Sequence, residues 1–313
     1  MALAAFLLYV APAFGDQYAL VVTGASGGDA YAQKYDRWRV ALVSTLREKF
    51  GYPDDHVVVL AEQESAGVAK ATRENVQRAF GDLRKRLSKD DQLAIVLIGH
   101  GTSMDVDDAK FNLVGPDLRA SDWAELVKPI AAKVVFIDTT GASFGFLRKI
   151  AGPARVVLTA TDSAAQQFET VFPEFFVKAF DDPAADADKN GRVSMWEAFE
   201  YASAGVRQWF EQHGQLATER PLLDDTGAGI GREAQNPGDD GAAARRTYLE
   251  PDVAATTSDV ALAALVARRS QLEAELDALK GRKSAMPQDQ YDAELEKILV
   301  ELARISRQIR ARS

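Results

Sequence analysis

The chain has 313 residues, 47% of them hydrophobic and 27% charged, the profile of a folded globular protein with room for more than one unit. Lys and Arg number 37 against 46 Asp and Glu, a formal charge of −9, which sets the chain against nucleic acid and anionic lipid as partners. Cysteine is absent, and with it disulfides, thiolate-held metals and any cysteine nucleophile.

Residues 2–10 form an apolar run that leads into Ala11-Pro12-Ala13-Phe14-Gly15. Small residues at Ala13 and Gly15 match the cleavage spacing of a signal peptide over residues 1–15. The n-region lacks its usual cation, because no Lys or Arg precedes Lys34. A periplasmic or secreted location and a mature chain with no membrane span are the expectations that follow.

From residue 18 to about 160, apolar strand-like runs alternate with helical periods. Strands are expected over 18–23, 56–60, 92–98, 133–138 and 155–161, with a short edge strand over 111–114. Helices are expected over 31–50, 72–87 and 121–130, the second capped by Thr72 and the third by Ser121. Continuous apolar strands separated by helices imply a mostly parallel sheet covered on both faces, a three-layer α/β sandwich. In such sheets a ligand site forms from the loops beyond the strands' carboxyl ends. Helices are also expected over 173–180 and 195–213. The Gly-, Asp-, Ala- and Pro-rich stretch 231–257 reads as a flexible linker closing a domain over 16–230. Two heptad-like helices then follow over 258–313, with a break at 281–287. Leu262, Leu265, Arg269, Leu272, Leu276 and Leu279 mark one seam, and Tyr291, Leu295, Ile298, Leu302, Ile305 and Ile309 the other. This pattern suggests an antiparallel helical hairpin, either packed on the domain or serving as an oligomerisation arm.

Between the last two helices of the domain lies Asp186-Ala-Asp188-Lys-Asn190-Gly191-Arg192-Val193-Ser194-Met-Trp-Glu197. Asp186, Asp188 and Asn190 offer side-chain oxygens at positions one, three and five. Gly191 allows the tight turn, Arg192 offers its carbonyl, Ser194 a direct or water-mediated contact, and Glu197 a closing bidentate carboxylate. The twelve positions resemble an EF-hand loop, with Ca2+ as the expected ion. Asp224-Asp225-Thr226-Gly227 lacks the closing acid, so an unpaired loop is expected. The acidic group Asp105, Asp107 and Asp108 reads as a solvated loop.

The third strand ends in Ile98-Gly99-His100-Gly101, and the next in Asp138-Thr139-Thr140-Gly141. This order resembles the legumain and caspase group of cysteine peptidases, including bacterial legumain-like members. The opening Val22-Thr-Gly24-Ala-Ser26-Gly27 before a Tyr31-led helix and the later Pro221-Leu-Leu-Asp224-Asp225 agree with it. The resemblance spans about residues 18–230 and implies a caspase-like sandwich. It also implies that His100 is the catalytic imidazole, that Gly101 is an oxyanion donor, and that Thr140 occupies the nucleophile position. A β-branched internal hydroxyl is a poor substitute for a thiol. Ala30 and Ala32 stand where legumains carry a histidine-orienting asparagine and a pocket arginine. The expected function is therefore a calcium-binding pseudopeptidase that binds an unidentified peptide or protein, or serves as a scaffold. The alternative is a hydrolase using Thr140, Thr139 or Ser143 with His100. His56 and His213 read as structural.

Overall fold

The computed structural model describes residues 15–104, 108–166, 168–251 and 259–312. The apolar run 2–10 of the expected leader, together with Asp105 and Asp107, lies outside the described residues. The chain divides into two units, residues 17–251 and a second that includes the carboxyl-terminal helices.

The first unit is a three-layer α/β sandwich built on a seven-stranded sheet. In chain order it comprises β1 (Gln17–Thr23), α1 (Asp29–Ser44), β2 (Val57–Ala61), β3 (Ala69–Lys70), α2 (Arg73–Arg86), β4 (Gln92–Ile98), β5 (Gly101–Thr102), β6 (Lys110–Phe111), β7 (Leu118–Arg119), α3 (Ala120–Val127), β8 (Lys133–Asp138), α4 (Phe144–Ile150), β9 (Arg155–Thr159), α5 (Phe172–Ala179), α6 (Met195–Gln212) and β10 (Leu222–Asp224). The sheet order is β10-β9-β8-β4-β1-β2-β3, parallel throughout except at β10. Strands β5, β6 and β7 form a separate antiparallel ribbon.

Strand side chains alternate between two buried faces. Ala19, Val21, Ala94 and Val96 pack with Tyr35, Trp38 and Leu42 of α1 and with α5 and α6. Leu20, Val22, Ile95 and Leu97 pack with Val76, Phe80 and Leu83 of α2, Trp123 of α3 and Phe146 of α4. Burial on both sides is why these strands are unbroken apolar runs and not alternating ones.

The sequence reading missed α4, β10 and the two-residue strands β3, β5 and β7, and its edge strand over 111–114 is β6 of the separate ribbon, at Lys110–Phe111. Residues 144–150 form barely two turns, too short for a heptad-scale period to declare itself. Residues 222–224 are a three-residue edge strand, antiparallel to β9. The stretch 231–251 corrects the linker expectation, because it is built into the first unit. Leu223 and Arg232 exchange backbone hydrogen bonds of 2.9 Å, and Leu249 is fully buried. Asp225 accepts from the amides of Gly241 (2.8 Å) and Ala244 (2.7 Å). Asp240 returns the brace by accepting the Asp225 amide at 3.0 Å. Asp and Gly are used here for side-chain-to-backbone turns, which composition alone does not separate from a solvated linker.

The second unit contains α7 (Val260–Gly281) and α8 (Gln288–Arg310). Leu262, Val266, Leu272, Ile305 and Ile309 form its apolar seam, with Leu265, Ile298 and Leu302 against it. Ion pairs Arg312–Asp259 (3.2 Å), at the start of one helix and the end of the other, and Arg268–Glu301 (3.0 Å), midway along both, match an antiparallel hairpin. Asp259 caps α7 by accepting from Ala261 and Leu262 amides. Among the described residues, no helix is long and apolar enough to cross a membrane.

Helices α5 and α6 pack closely at Gly205, where a Cβ would lie 2.4 Å from the Phe175 ring. Helix propensity alone favours Ala over Gly by about 1 kcal/mol, whereas forcing a methyl into such a contact costs about 1–3 kcal/mol. Gly205→Ala is therefore expected to lower the urea midpoint; a raised midpoint would show that the contact yields.

Candidate functional site

His100 lies just beyond the carboxyl end of β4, and Thr140 just beyond that of β8, its neighbour in the sheet. Gly24 closes β1 beside them. Its amide donates to the Ile98 carbonyl at 2.9 Å, and a Cβ there would sit 2.2 Å from the Asn112 carbonyl oxygen, so only glycine fits. All three strand ends therefore meet at one edge of the sheet.

The imidazole of His100 is turned toward α1. Its Nε2 lies 3.0 Å from the Ser26 carbonyl oxygen, which only accepts, so Nε2 carries the proton. The Tyr35 hydroxyl lies 3.3 Å from Nδ1 and 3.2 Å from Nε2. Burial raises the Tyr35 phenol above its ordinary range, keeping it a donor toward Nδ1. Tyr31 adds an edge-on ring contact at 4.7 Å. Tyr31 and Tyr35 thus fix the orientation of the imidazole. Tyr35 sits on the apolar stripe of α1 and reads in sequence as core, which hid its second task.

The three hydroxyls near β8 differ in availability. Thr139 donates to the Leu97 carbonyl at 2.7 Å. Ser143 is consumed by structure: its Oγ accepts from the amides of Ala160 (3.0 Å) and Thr161 (3.1 Å) and bonds the Thr161 hydroxyl at 3.1 Å. Thr140 is fully buried, and its Oγ1 makes no hydrogen bond of normal geometry. A Cβ on Gly101 would fall 2.6 Å from that Oγ1, so the hydroxyl is wedged against the Gly101 backbone.

Beneath Thr140 lies Asp138, also fully buried. Its Oδ1 accepts the Thr140 amide at 3.0 Å. Burial raises its carboxyl to about 7, with the Thr140 amide and a poorly aligned contact from the Thr140 hydroxyl opposing that rise. A second buried acid, Glu219, accepts from Val171 (2.8 Å) and Phe172 (2.7 Å) at the start of α5. Burial also raises this acid to about 7, against those two amides.

The acidic loop precedes α6. Carboxylate oxygens of Asp186, Asp188 and Glu197 lie within 4.8 Å of one another and could hold a metal ion. Asp186 accepts from Asn190 (3.0 Å) and Gly191 (2.9 Å), closing the turn. The left-handed backbone falls at Lys189 and Gly191. Glu197 Oε1 accepts from the Ala187 amide at 3.0 Å, and Oε2 from the Ser194 amide at 2.9 Å and hydroxyl at 2.7 Å. Asn190 Oδ1 is turned to the Arg192 amide at 2.8 Å. The loop therefore brings Asp186, Asp188 and Glu197 together, while Asn190 and Ser194 are engaged within the loop. In place of a second loop, Ser194 bridges Tyr248 and the Arg192 guanidinium stacks 4.0 Å over the Tyr248 ring. Asp224, considered above for such a second loop, accepts instead from Gly227 (2.7 Å) and Ile230 (3.0 Å).

The sign of the pH effect follows from the buried acids. A raised folded-state pKa means the folded chain keeps protons that the unfolded chain releases, so this stability is lost as pH rises toward 7 and above. Asp138→Asn keeps an acceptor for the Thr140 amide and removes the titration. Urea midpoints at pH 5 and pH 8 should therefore differ less in Asp138→Asn than in the unaltered protein, with Glu219 supplying the remaining slope. Identical slopes would mean that Asp138 does not titrate in this range.

No protein-family model matches the chain, and no curated protein matches it. Among solved structures, a structural-genomics protein from Geobacter sulfurreducens shares 16% identity at a TM-score of 0.42, over 67% of this chain and 92% of its own. The caspase drICE shares 9% identity at a TM-score of 0.38, over 69% of this chain and 90% of its own. Raptor from Chaetomium thermophilum shares 10% at a TM-score of 0.35, over 94% of this chain and 25% of its own.

Proposed function

We propose that this protein is an exported, calcium-binding relative of the caspase and legumain peptidases that has lost hydrolytic chemistry and works as a peptide- or protein-binding scaffold. The observation that supports this reading is that His100 and Thr140 are not hydrogen-bonded to each other, the Thr140 hydroxyl having no hydrogen-bond partner and the imidazole facing Ser26 and Tyr35. A hydroxyl nucleophile needs a base within about 3 Å and an exposed path to substrate. Thr140 is fully buried, and the ring nitrogens of His100 are matched to Ser26 and Tyr35. Ser143 cannot leave its network without orphaning two buried amides, a cost of about 1–3 kcal/mol each.

Calcium is favoured at the acidic loop by its donors, which are all hard oxygens grouped at the start of α6. Bound there, the ion would fasten α6 to the loop before it by neutralising three neighbouring carboxylates. The hairpin of α7 and α8 is a candidate arm for self-association.

Two measurements test the proposal. Calcium titration by calorimetry should give one site, weakened about tenfold or more in Glu197→Gln, since a bidentate ligand becomes a neutral one; equal binding in both proteins would refute the assignment. Peptide-library assays with calcium should detect no turnover in the unaltered protein, Thr140→Ala or His100→Ala. Hydrolysis that disappears in either variant would make the protein a hydroxyl-based hydrolase.

A further inference from the structure

Helix α8 carries two distinct faces. One holds Ile298, Leu302, Ile305 and Ile309 and forms the apolar seam with α7. On the opposite face Asp292, Glu296, Leu299, Val300, Ala303 and Arg307 follow a repeat of three and four residues, and all six are exposed. Such spacing keeps them on one side of the helix. Leu299 and Val300 stand 47% and 64% exposed at its midpoint.

The order along this face is acid, apolar, basic, and it is symmetric. Asp292 and Arg307 lie at equal distances from the point between Leu299 and Val300, as do Glu296 and Ala303. Turned end for end, the face presents the same apolar centre with its charges reversed. That is the condition for an isologous contact, in which one patch serves both partners. The helix dipole favours acids in the first turn and cations in the last. It does not reach Glu296, and it gives no reason for two exposed apolar residues at the midpoint. The described ion pairs of the hairpin, Arg268–Glu275, Arg268–Glu301, Arg269–Glu273 and Arg312–Asp259, leave Glu296 and Arg307 out. Asp292 accepts from the Gln288 side chain through one oxygen, at 2.8 Å. Asp292 and Arg307 are separated by about 22 Å of helix, so they cannot meet within one copy of α8.

A two-helix unit also buries little apolar surface, and below roughly 70–80 residues a partner or a cross-link usually completes the stability. We propose that this face docks a second copy of the chain, α8 lying antiparallel on α8 about a two-fold axis between residues 299 and 300. Leu299 and Val300 of both copies meet at the centre. Arg307 of each copy reaches Asp292 of the other, within one turn of Glu296. An isologous contact closes at two copies. Such a dimer gives the self-association arm of the reading above its face and its stoichiometry; it rests on that arm and involves neither the calcium loop nor His100.

Sedimentation of the full chain over about 1–200 μM spans the weak association expected of a small interface. It should show a reversible monomer–dimer equilibrium, weaker in about 0.5 M than in about 0.05 M salt, which screens exposed pairs. Asp292→Arg and Arg307→Glu should each weaken the dimer by about tenfold or more, because attraction becomes like-charge repulsion at both ends of the contact. An equimolar mixture of these two variants should recover it as a heterodimer, because each acid again faces a cation across the axis. No change confined to the fold of one chain produces that recovery. Leu299→Asp should leave the chain monomeric with its helical circular dichroism unchanged. A monomer at every concentration would overturn the proposal and leave the face to a different protein. A mixture no more dimeric than its parts would overturn it too. A dimer unaffected by Leu299→Asp would overturn this face while leaving the self-association arm to act through another.

Discussion

Burial of the central sheet on both faces governs the rest of the first unit. A strand covered by helices on each side has no room for polar side chains along its length, so polarity collects where the strands end. β1, β4 and β8 carry apolar residues almost to their last positions and then release Gly24, Gly99, His100, Asp138, Thr139 and Thr140 at one edge. The same constraint makes that edge costly. Each group placed there is either bonded, as Thr139 and Ser143 are, or left buried without a good partner, as Thr140 and one oxygen of Asp138 are.

Carboxylates then do much of the tying. Glu197 holds the loop before α6 by gathering its amides, and Glu219 receives the first amides of α5. Asp225 and Asp240 brace the segment after β10. In each case an acid accepts backbone N–H groups that the chain's direction would otherwise strand. The acidic balance of the sequence is thus partly structural, with many of its carboxylates facing backbone and not solvent.

The long central strands, the main helices and the acidic loop were legible because their signals are local. Apolar runs, a 3.6-residue period and a twelve-residue ligand pattern each sit within one short window. What sequence hid was shared duty across distance. Tyr35 belongs to a core stripe and also meets His100, sixty-five positions away. Ser143 looked available because its type is nucleophilic, yet its bonds run to Ala160 and Thr161 on another strand end. Residues 231–251 looked unstructured because Asp and Gly serve braced turns and solvated chain alike. Residue type proposes a role, and only the pairing decides it.

The sheet ends in very short strands, two residues at β3 and three at β10. A long flat border would offer a row of open amides and carbonyls on which another copy could add its own strand. Here the template is only a few positions long at either margin, and β10 runs against the direction of its neighbour. Ribbon-like growth from copy to copy has little to grip, so a concentrated solution of this protein is guarded against fibre formation by the way its sheet stops.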